Sequence, residues 1–419
     1  MLQGFKINVG NLLLSISDAV DMVSPAIASH QLRTAYIAWQ IAIAAGLPRN
    51  SVRRLFKASL LHDIGALAPE DKIKLHAFEA INTEPHCIIG ELLFRMTPLL
   101  EKSAGIVRFH HRKWSDWHTS IETPDVLESQ ILYTADFIER LIRRDVFILN
   151  QVDSITSHLE SHSGSAIHNG VVDLFIEVAS REDFWLDITN NRLYSILHDH
   201  GPLHGTEDDF SVLTSIAVLV RSLIDFKSNF TATHSIGVSE CAVQLAALEG
   251  FTEFELQCME VAGNLHDLGK LAVPVAILDK PGELSPEECT VIKQHPYFTY
   301  MLLKNIGMEQ IAQWAAFHHE FLDGSGYPFH VTSERLTLGA RIMAVANIFT
   351  SLREDRPQRP GKSLKETKEI LQDYSRKGLL DSRIIHVLFD DFENIGAAVK
   401  EKQDEARRYY VQQVRSFAV

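Results

Sequence analysis

One histidine-rich pattern occurs twice in this chain of 419 residues. In each half a histidine is followed 32 residues later by an adjacent His-Asp pair, and then by another histidine and an adjacent His-His pair. The first copy comprises His30, His62, Asp63, His86, His110, His111 and Asp136, and the second comprises His234, His266, Asp267, His295, His318, His319 and Asn347. The later gaps differ slightly, as they would if loops changed length while the ligand-bearing helices stayed in place. We therefore expect two related domains, at residues 1–200 and 206–419.

Apolar residues recur three and four positions apart over most of the chain, for example at Leu32, Tyr36, Trp39 and Ile43. This spacing is typical of amphipathic helices. Alternating patterns typical of strands are nearly absent. We therefore predict an all-α protein made of two tandem helical bundles.

The charge and composition of the chain limit its partners. With 40 basic against 54 acidic side chains the net charge is −14, which argues against a polymeric nucleic acid. The longest apolar stretches contain polar breaks and fall short of the roughly 20 residues of a membrane-spanning helix. No secretion signal is evident, and the cysteines lack paired spacing. We expect a cytoplasmic protein with neither a membrane nor a nucleic-acid polymer as partner.

The second histidine set suits a pair of metal ions. The adjacent His266 and Asp267 would direct an imidazole and a carboxylate into one cavity, and the two oxygens of Asp267 could bridge two cations. We expect one ion to bind Asp267 with His234, His266 and Asn347, and the other to bind its second oxygen with His295, His318 and His319. Nitrogen ligands combined with a carboxylate favour iron or manganese. Two such ions activate a bridging water for in-line attack on a phosphodiester.

Structural roles are the alternative for each of these histidines. A single histidine on an apolar helix face is usually a hydrogen-bonded core residue. Five histidines with an adjacent aspartate at a repeated spacing are improbable as a coincidence, so metal binding is the favoured interpretation for the second set.

Motifs in the second half resemble the HD-GYP phosphodiesterase domain of the HD phosphohydrolase superfamily. They are HDLGK at 266–270, ILDKPGELSPEE at 277–288 and HHEFLDGSGYP at 318–328. The first half resembles a plain HD domain, with LLHDIGAL at 60–67 and RFHH at 108–111. The resemblance implies two HD-type helical bundles, a binuclear metal centre and a bacterial cyclic dinucleotide as substrate.

The resemblance also implies roles for individual residues. Asp267 and Lys270 are expected to be catalytic, because Lys270 can set an ammonium beside the scissile phosphate. The expected substrate-binding residues are Lys270, Gly326, Tyr327, Pro328, Arg356 and Arg359. The two arginines match family positions that look like contacts to the second phosphate, since guanidinium groups bind phosphate oxygens in pairs.

The DGSGYP loop has its own expected geometry. Gly324 and Gly326 are expected to adopt backbone angles that other residues avoid, and Pro328 to stiffen the end of the loop. Tyr327 would then offer a ring face to a purine. A purely structural loop is the alternative.

Departures from the family pattern matter as well. Asn347 stands where the family usually has Asp, and an amide oxygen is a weaker, neutral ligand. Phe230 stands where three-metal members have a carboxylate, so we expect two ions. In the first half Ala66 replaces the lysine, and no GYP loop follows His111. The first ligand set is complete, so it is a candidate second metal site with a regulatory or dimerisation role.

These observations predict a metal-dependent enzyme that hydrolyses cyclic di-GMP or 3′,3′-cyclic GMP-AMP to a linear 5′-phosphorylated dinucleotide. Two alternatives stay open. A non-catalytic cyclic dinucleotide sensor or scaffold would explain Asn347. A nucleotide or alarmone phosphohydrolase acting from the first histidine set would explain the complete ligands there.

The charged helix at the C-terminus is a candidate homodimer interface.

Overall fold

The computed structural model describes residues 6–21, 27–66, 73, 75–76, 82–227, 233–278, 280, 282–355 and 360–417. The chain divides into two compact units, one of Asn8–Glu207 and one of Asp208–Val419 together with Lys6–Ile7. Among the described residues both units are helical apart from one pair of two-residue strands and two isolated bridges. The prediction of an all-α fold is confirmed.

The first unit is built around a central helix that begins with a histidine of the first set. Its helices are α1 (Val9–Asp21), α2 (His30–Ala44), α3 (Arg49–Leu60), α4 (Glu84–Arg95), α5 (Ala104–Arg108), α6 (Val126–Leu141), α7 (Val152–Glu160), α8 (Asn169–Ala179), α9 (Glu182–Ile188) and α10 (Leu193–His200). Short 3-10 helices cover Glu101–Ser103, Trp114–Asp116 and Ile148–Asn150. Helix α2 packs against α1, α3, α6 and α8, and its Ile37, Ala38 and Ile41 are completely buried.

The second unit repeats this plan. Strands β1 (Lys6–Ile7) and β2 (Asp208–Asp209) precede α11 (Phe210–Lys227), α12 (His234–Leu248), α13 (Glu253–Leu265), α14 (Val275–Leu278), α15 (Pro286–Lys293), α16 (His295–Leu303), α17 (Glu309–Ala316), α18 (Leu338–Arg353), α19 (Leu364–Arg376), α20 (Ser382–Asp390) and α21 (Phe392–Phe417). Two 3-10 helices cover Leu268–Ala272 and Lys304–Ile306. Helix α12 packs against α13, α18 and α21.

Local sequence signals explain where several helices begin. Thr252, Ser285 and Ser363 each accept a hydrogen bond from the backbone N–H three residues later, and the carboxylate of the glutamate at that position accepts one from the backbone N–H of the cap residue. This reciprocal capping satisfies two backbone donors at each helix start. The helices α13 and α15 that precede His266 and His295 are therefore defined by the sequence near them.

The strand pair differs from the sequence-based boundary. Lys6 and Ile7 pair antiparallel with Asp209 and Asp208, which places them in the second unit, whereas we expected residues 1–200 to form the N-terminal domain. The side chain of Ile7 is buried, but two residues are too few to show an alternating pattern. The side-chain pattern could not have indicated this pairing.

Candidate metal centres and active site

Asp267 lies at the centre of the second histidine set and is buried. Its Oδ2 atom is 3.3 Å from His266 Nε2 and 4.0 Å from His234 Nε2. Its Oδ1 atom is 3.3 Å from His295 Nε2 and 4.0 Å from His318 Nε2. The two oxygens of one carboxylate therefore face two separate histidine groups.

The remaining two members of the set join these groups. The Oδ1 atom of Asn347 is 3.2 Å from His234 Nε2, on the Oδ2 side of Asp267. The ligand atoms of His295, His318 and His319 lie within 4.8 Å of one another. The structure thus brings all seven residues of the second set together.

Backbone carbonyl groups fix which ring nitrogen is protonated in three of these histidines. The Nδ1 atoms of His266, His295 and His318 lie 2.7, 2.7 and 2.6 Å from the carbonyl oxygen three residues earlier. A carbonyl oxygen can only accept a hydrogen bond, so each Nδ1 carries the hydrogen. Burial lowers the pKa of His295, and burial together with His319 lowers that of His318 well below its usual range. In the neutral rings of His295 and His318, Nε2 offers a lone pair.

These lone pairs show that the residues fit a cation. The Nε2 atoms of His295 and His318 are only 3.1 Å apart, so two acceptors face each other in a buried site. Within the described part of the chain the buried Nε2 of His266 has no hydrogen-bond partner. Facing acceptors repel unless a cation is shared between them, and an unpaired buried nitrogen is costly. Imidazole nitrogens around a carboxylate are a suitable donor set for a divalent transition metal.

An outer layer that we did not predict orients the first histidine. The Nδ1 atom of His234 is 2.7 Å from Oε2 of Glu354, which directly follows α18. Gln403 on α21 donates to Oε1 of Glu354 and to the carbonyl oxygen of Thr233. A carboxylate on Nδ1 directs Nε2 towards the metal and raises the basicity of the ring. Glu354 lies two helical turns after Asn347, and this spacing could have identified it from the sequence. No comparable sequence signal points to Gln403.

Lys270 contacts the shared carboxylate directly. Its Nζ is 2.6 Å from Asp267 Oδ2. Burial alone would raise the pKa of Asp267, but His266 and Lys270 outweigh burial and hold the pKa well below its ordinary value. Asp267 is therefore an anion available as a bridging ligand, and a cation stands beside it.

The two glycines of the DGSGYP loop are required for different reasons. Gly324 has φ = 79°, the left-handed conformation that we expected. Gly326 does not adopt a left-handed φ, which corrects our expectation. A Cβ on Gly326 would instead lie 2.4 Å from Glu320 Cα and 2.5 Å from the nitrogen of Phe321. The loop folds back so closely on the chain after His319 that no side chain fits at Gly326.

This close approach brings Tyr327 against the second histidine set. Its ring stacks on His319 with centroids 4.6 Å apart and an interplanar angle of 19°, and its backbone N–H donates to the carbonyl oxygen of His319. Pro328 follows through a cis peptide bond. One face of the tyrosine ring is thus covered by His319, which restricts how a purine could contact it.

Glu320 anchors the far end of the same loop. It is buried, with Oε1 accepting a hydrogen bond of 2.7 Å from the N–H of Phe329 and Oε2 accepting one of 3.0 Å from Val331. A carboxylate with two backbone donors is a strong and specific anchor. We did not predict this role, although Glu320 directly follows the His-His pair.

The first histidine set has the same geometry around Asp63. Oδ2 of Asp63 is 3.4 Å from His62 Nε2 and 3.7 Å from His30 Nε2, and Oδ1 is 3.4 Å from His86 Nε2 and 3.5 Å from His110 Nε2. Again the two oxygens of one aspartate face two histidine groups.

The outer members of the first set complete the arrangement. Asp136 Oδ1 is 3.4 Å from His30 Nε2, and His111 joins the group of Asp63, His86 and His110. Burial, together with the neighbouring His110, lowers the pKa of His111 well below its usual range. The buried Nε2 atoms of His62 and His111 have no hydrogen-bond partner among the described residues. This set also fits a divalent cation.

The cation of the first set has a different position. Ala66 stands where the second set has Lys270, and it is buried. Arg140 instead places Nη2 2.8 Å from Oδ2 of Asp136, one helical turn away. Glu139 contacts Nδ1 of His30, as Glu354 contacts His234 in the second unit. Arg140 and Glu139 were not predicted, although both lie within four residues of Asp136 on α6.

Three expected positions lie outside the described residues. These are Arg356, Arg359 and Phe230.

The helices of the described part of the chain include none long and apolar enough to cross a membrane. The homodimer stays a prediction.

Two family models, each described as an HD domain, match residues 27–141 and 218–384. Each match contains one complete histidine set. The chain belongs to the HD phosphohydrolase superfamily. The prediction of two HD domains, made from the repeat and from the family resemblance, is confirmed.

Several curated relatives match over different lengths. 3′3′-cGAMP-specific phosphodiesterase 1 of Vibrio cholerae serotype O1 is 28% identical over 397 residues, covering 92% of this chain and 92% of the relative. 3′3′-cGAMP-specific phosphodiesterase 3 of the same organism is 24% identical, covering 87% of this chain and 90% of the relative. A cyclic di-GMP phosphodiesterase response regulator of Xanthomonas campestris pv. campestris is 36% identical, covering 39% of this chain and 44% of the relative.

A solved structure shares the fold of the whole chain. The crystal structure of a cyclic GMP-AMP specific phosphodiesterase of V. cholerae superposes with a TM-score of 0.63 at 19% identity, covering 94% of this chain and 98% of that one. At this identity the likeness shows the fold alone.

Proposed function

We propose that the chain is a metal-dependent phosphodiesterase that hydrolyses a cyclic dinucleotide at the Asp267 centre, with 3′,3′-cyclic GMP-AMP preferred to cyclic di-GMP. The observation that carries the proposal is the pair of facing Nε2 atoms of His295 and His318 beside a carboxylate whose other oxygen faces His266. The preference for the mixed ring rests on the two relatives aligned over most of both chains, which are named for that substrate.

The ligands divide between two ions, and we propose iron or manganese for both. Asp267 Oδ2, His234, His266 and Asn347 would hold one ion, and Asp267 Oδ1 with His295, His318 and His319 would hold the other. When bound, two such ions polarise phosphoryl oxygens and make a water nucleophilic at neutral pH. The water oxygen joins the phosphorus, the bond from phosphorus to the 3′ oxygen breaks, and that oxygen takes up a proton. The product is a linear 5′-phosphorylated dinucleotide.

Lys270 contributes charge to this reaction. Its ammonium lies against the bridging carboxylate and can stabilise the negative charge that develops on the phosphoryl oxygens. His319 and the stacked Tyr327 position the loop that borders the nucleotide. Glu354 holds the ring of His234 so that Nε2 points towards Asn347.

The first unit is proposed to bind metal in a regulatory role. Its ligand set is complete, but the buried Ala66 supplies no cation beside Asp63, and Arg140 lies against Asp136 instead. Loss of a phosphate-facing cation weakens transition-state stabilisation by roughly 100-fold or more. We therefore expect little hydrolysis of a cyclic dinucleotide at Asp63.

A matched pair of variants tests the assignment. Protein reconstituted with Mn²⁺ or Fe²⁺ is supplied with each cyclic dinucleotide, and products are resolved by chromatography for wild type, Asp267→Asn and Asp63→Asn. The metal content of each variant is measured alongside. Asp267→Asn should lower turnover at least about 100-fold, while Asp63→Asn should leave it within about twofold. Loss of turnover with Asp63→Asn alone would place the chemistry in the first unit, and tight binding without turnover by wild type would indicate a sensor.

A further inference from the structure

Lys293 stands at the rim of the Asp267 centre and has no ion-pair partner among the described residues. It is the last residue of α15, two positions before His295, and is exposed. Its Nζ lies 5.4 Å from the ring centroid of Tyr327, and none of the ion pairs among described residues includes it. An exposed ammonium held over an aromatic ring keeps its capacity to bind an anion.

The first unit supplies an internal comparison at the same position. Two residues before His86 stands Glu84, which pairs with Arg108, and Arg108 also contacts Glu91 through Nε at 3.2 Å. Arg108 in turn stands two residues before His110. The rim of the first unit is therefore closed by ion pairs between its own side chains.

The second unit lacks both halves of that arrangement. Lys293 replaces the acid, and Ala316, completely buried, replaces the arginine two residues before His318. The position is negative and paired with an arginine in the first unit, whereas in the second unit it is positive and has no ion-pair partner among the described residues. Such a change suits recognition of an anion in the second unit only.

The contacts of Tyr327 connect this cation to the metal-ligand set. The ring stacks on His319 at 4.6 Å, and Lys293 lies over the same ring. Lys270 is engaged with Asp267 at 2.6 Å, next to the position proposed for the scissile phosphate. A cyclic dinucleotide has two phosphates, and the one that is not cleaved needs a cation other than Lys270. Lys293 would add to the contacts predicted for Arg356 and Arg359, which lie outside the described residues.

We propose that Lys293 binds the phosphate that is not being hydrolysed and so selects diesters with two phosphates over those with one. The inference rests on the proposed function and adds a specificity-determining residue to it. Glu84 and its pairing with Arg108 would give the first unit no corresponding affinity for such a substrate.

Steady-state kinetics with two substrates tests this role. Mn²⁺-loaded wild type, Lys293→Ala and Lys293→Arg are compared on 3′,3′-cyclic GMP-AMP and on bis(p-nitrophenyl) phosphate, which has a single phosphate. Lys365→Ala, at an exposed lysine on α19, controls for the change in net charge. Lys293→Ala should raise KM for the dinucleotide about tenfold with kcat within about twofold, and Lys293→Arg should restore most of the loss. KM for bis(p-nitrophenyl) phosphate should not change.

The outcomes separate this inference from the proposed function. An unchanged KM for the dinucleotide, or an equal rise for both substrates, would overturn the role of Lys293. If wild type hydrolyses neither substrate, the proposed function is wrong, and equilibrium binding of 3′,3′-cyclic GMP-AMP then decides about Lys293. Tenfold weaker binding by Lys293→Ala than by wild type would support the cation site. Equal binding, or no binding by wild type, would refute it.

Discussion

Gly269 controls how closely α16 approaches the His-Asp segment, and Gly269→Ala should disable the second centre. A Cβ at this position would lie 2.0 Å from the carbonyl oxygen of His295, whereas real Cβ contacts essentially never fall below 3.0 Å. The start of α16 must therefore retreat by at least about 1 Å. His295 Nε2 now lies 3.3 Å from Asp267 Oδ1 and 3.1 Å from His318 Nε2, so this retreat would disturb both contacts.

The size of the effect follows from that displacement. A misplacement of about 1 Å at a catalytic group costs about 100-fold in rate, and overpacking of a core costs about 1–3 kcal/mol of stability. We expect kcat/KM for 3′,3′-cyclic GMP-AMP to fall about 100-fold in Gly269→Ala while the protein remains folded. Initial rates at saturating Mn²⁺ measure the first quantity, and circular dichroism with thermal unfolding checks the second.

The first unit provides the control for this variant. Gly65 also stands two residues after the aspartate of its set, and a Cβ there would lie 2.1 Å from the carbonyl oxygen of His86. Gly65→Ala should therefore lose a similar amount of stability but keep the wild-type rate. Wild-type kcat/KM in Gly269→Ala would refute the steric reasoning. An equal loss of rate in Gly65→Ala would refute the confinement of catalysis to the second unit.

Three further predictions follow from the two centres. Asn347→Asp adds a charge 3.2 Å from His234 Nε2, so calorimetric titration of metal-free protein with Mn²⁺ should show about tenfold tighter binding; unchanged affinity would mean that residue 347 is not a ligand. Glu320→Gln turns an amide donor towards the N–H of Phe329 or Val331. It should therefore lower the free energy of unfolding, measured with urea, by about 1–3 kcal/mol and raise KM. Wild-type values of both quantities would contradict the anchoring role. Removal of metal by EDTA should lower the melting temperature by several degrees and Mn²⁺ should restore it; a melting temperature insensitive to both would argue against metal binding in either unit.

The sequence indicates which histidines and aspartates come together because these residues lie at helix starts and at the turns that follow helices. His30 and His234 begin helices, and the His-Asp and His-His pairs follow α3, α5, α13 and α17. Local signals such as the reciprocal caps define these boundaries, and the repeat confirms the order of the elements. The all-α fold and the division into two related domains could therefore be predicted without knowing any distance.

The outer layer could not be predicted in the same way because it depends on how distant helices pack. Glu354 reaches His234 across 120 residues of chain, and Gln403 reaches Glu354 from the last helix. Hydrophobic periodicity tells which face of α21 is apolar but not which polar side chain meets another helix. Gly326 illustrates the same limit, since its requirement comes from the proximity of Glu320 and not from its own backbone angles.

The two centres differ most in which carboxylate receives the cation. In the first, Arg140 lies on Asp136, and no lysine among the described residues pairs with the central Asp63, so the two carboxylates have one arginine between them. In the second, Lys270 lies on the central Asp267, and Asn347 contributes no charge. The second set therefore has less negative charge among its ligands. An anionic substrate is repelled less there, while the extra carboxylate of the first set favours tight retention of a cation. This difference in charge is a physical reason to propose catalysis in the second unit and a regulatory role for the first.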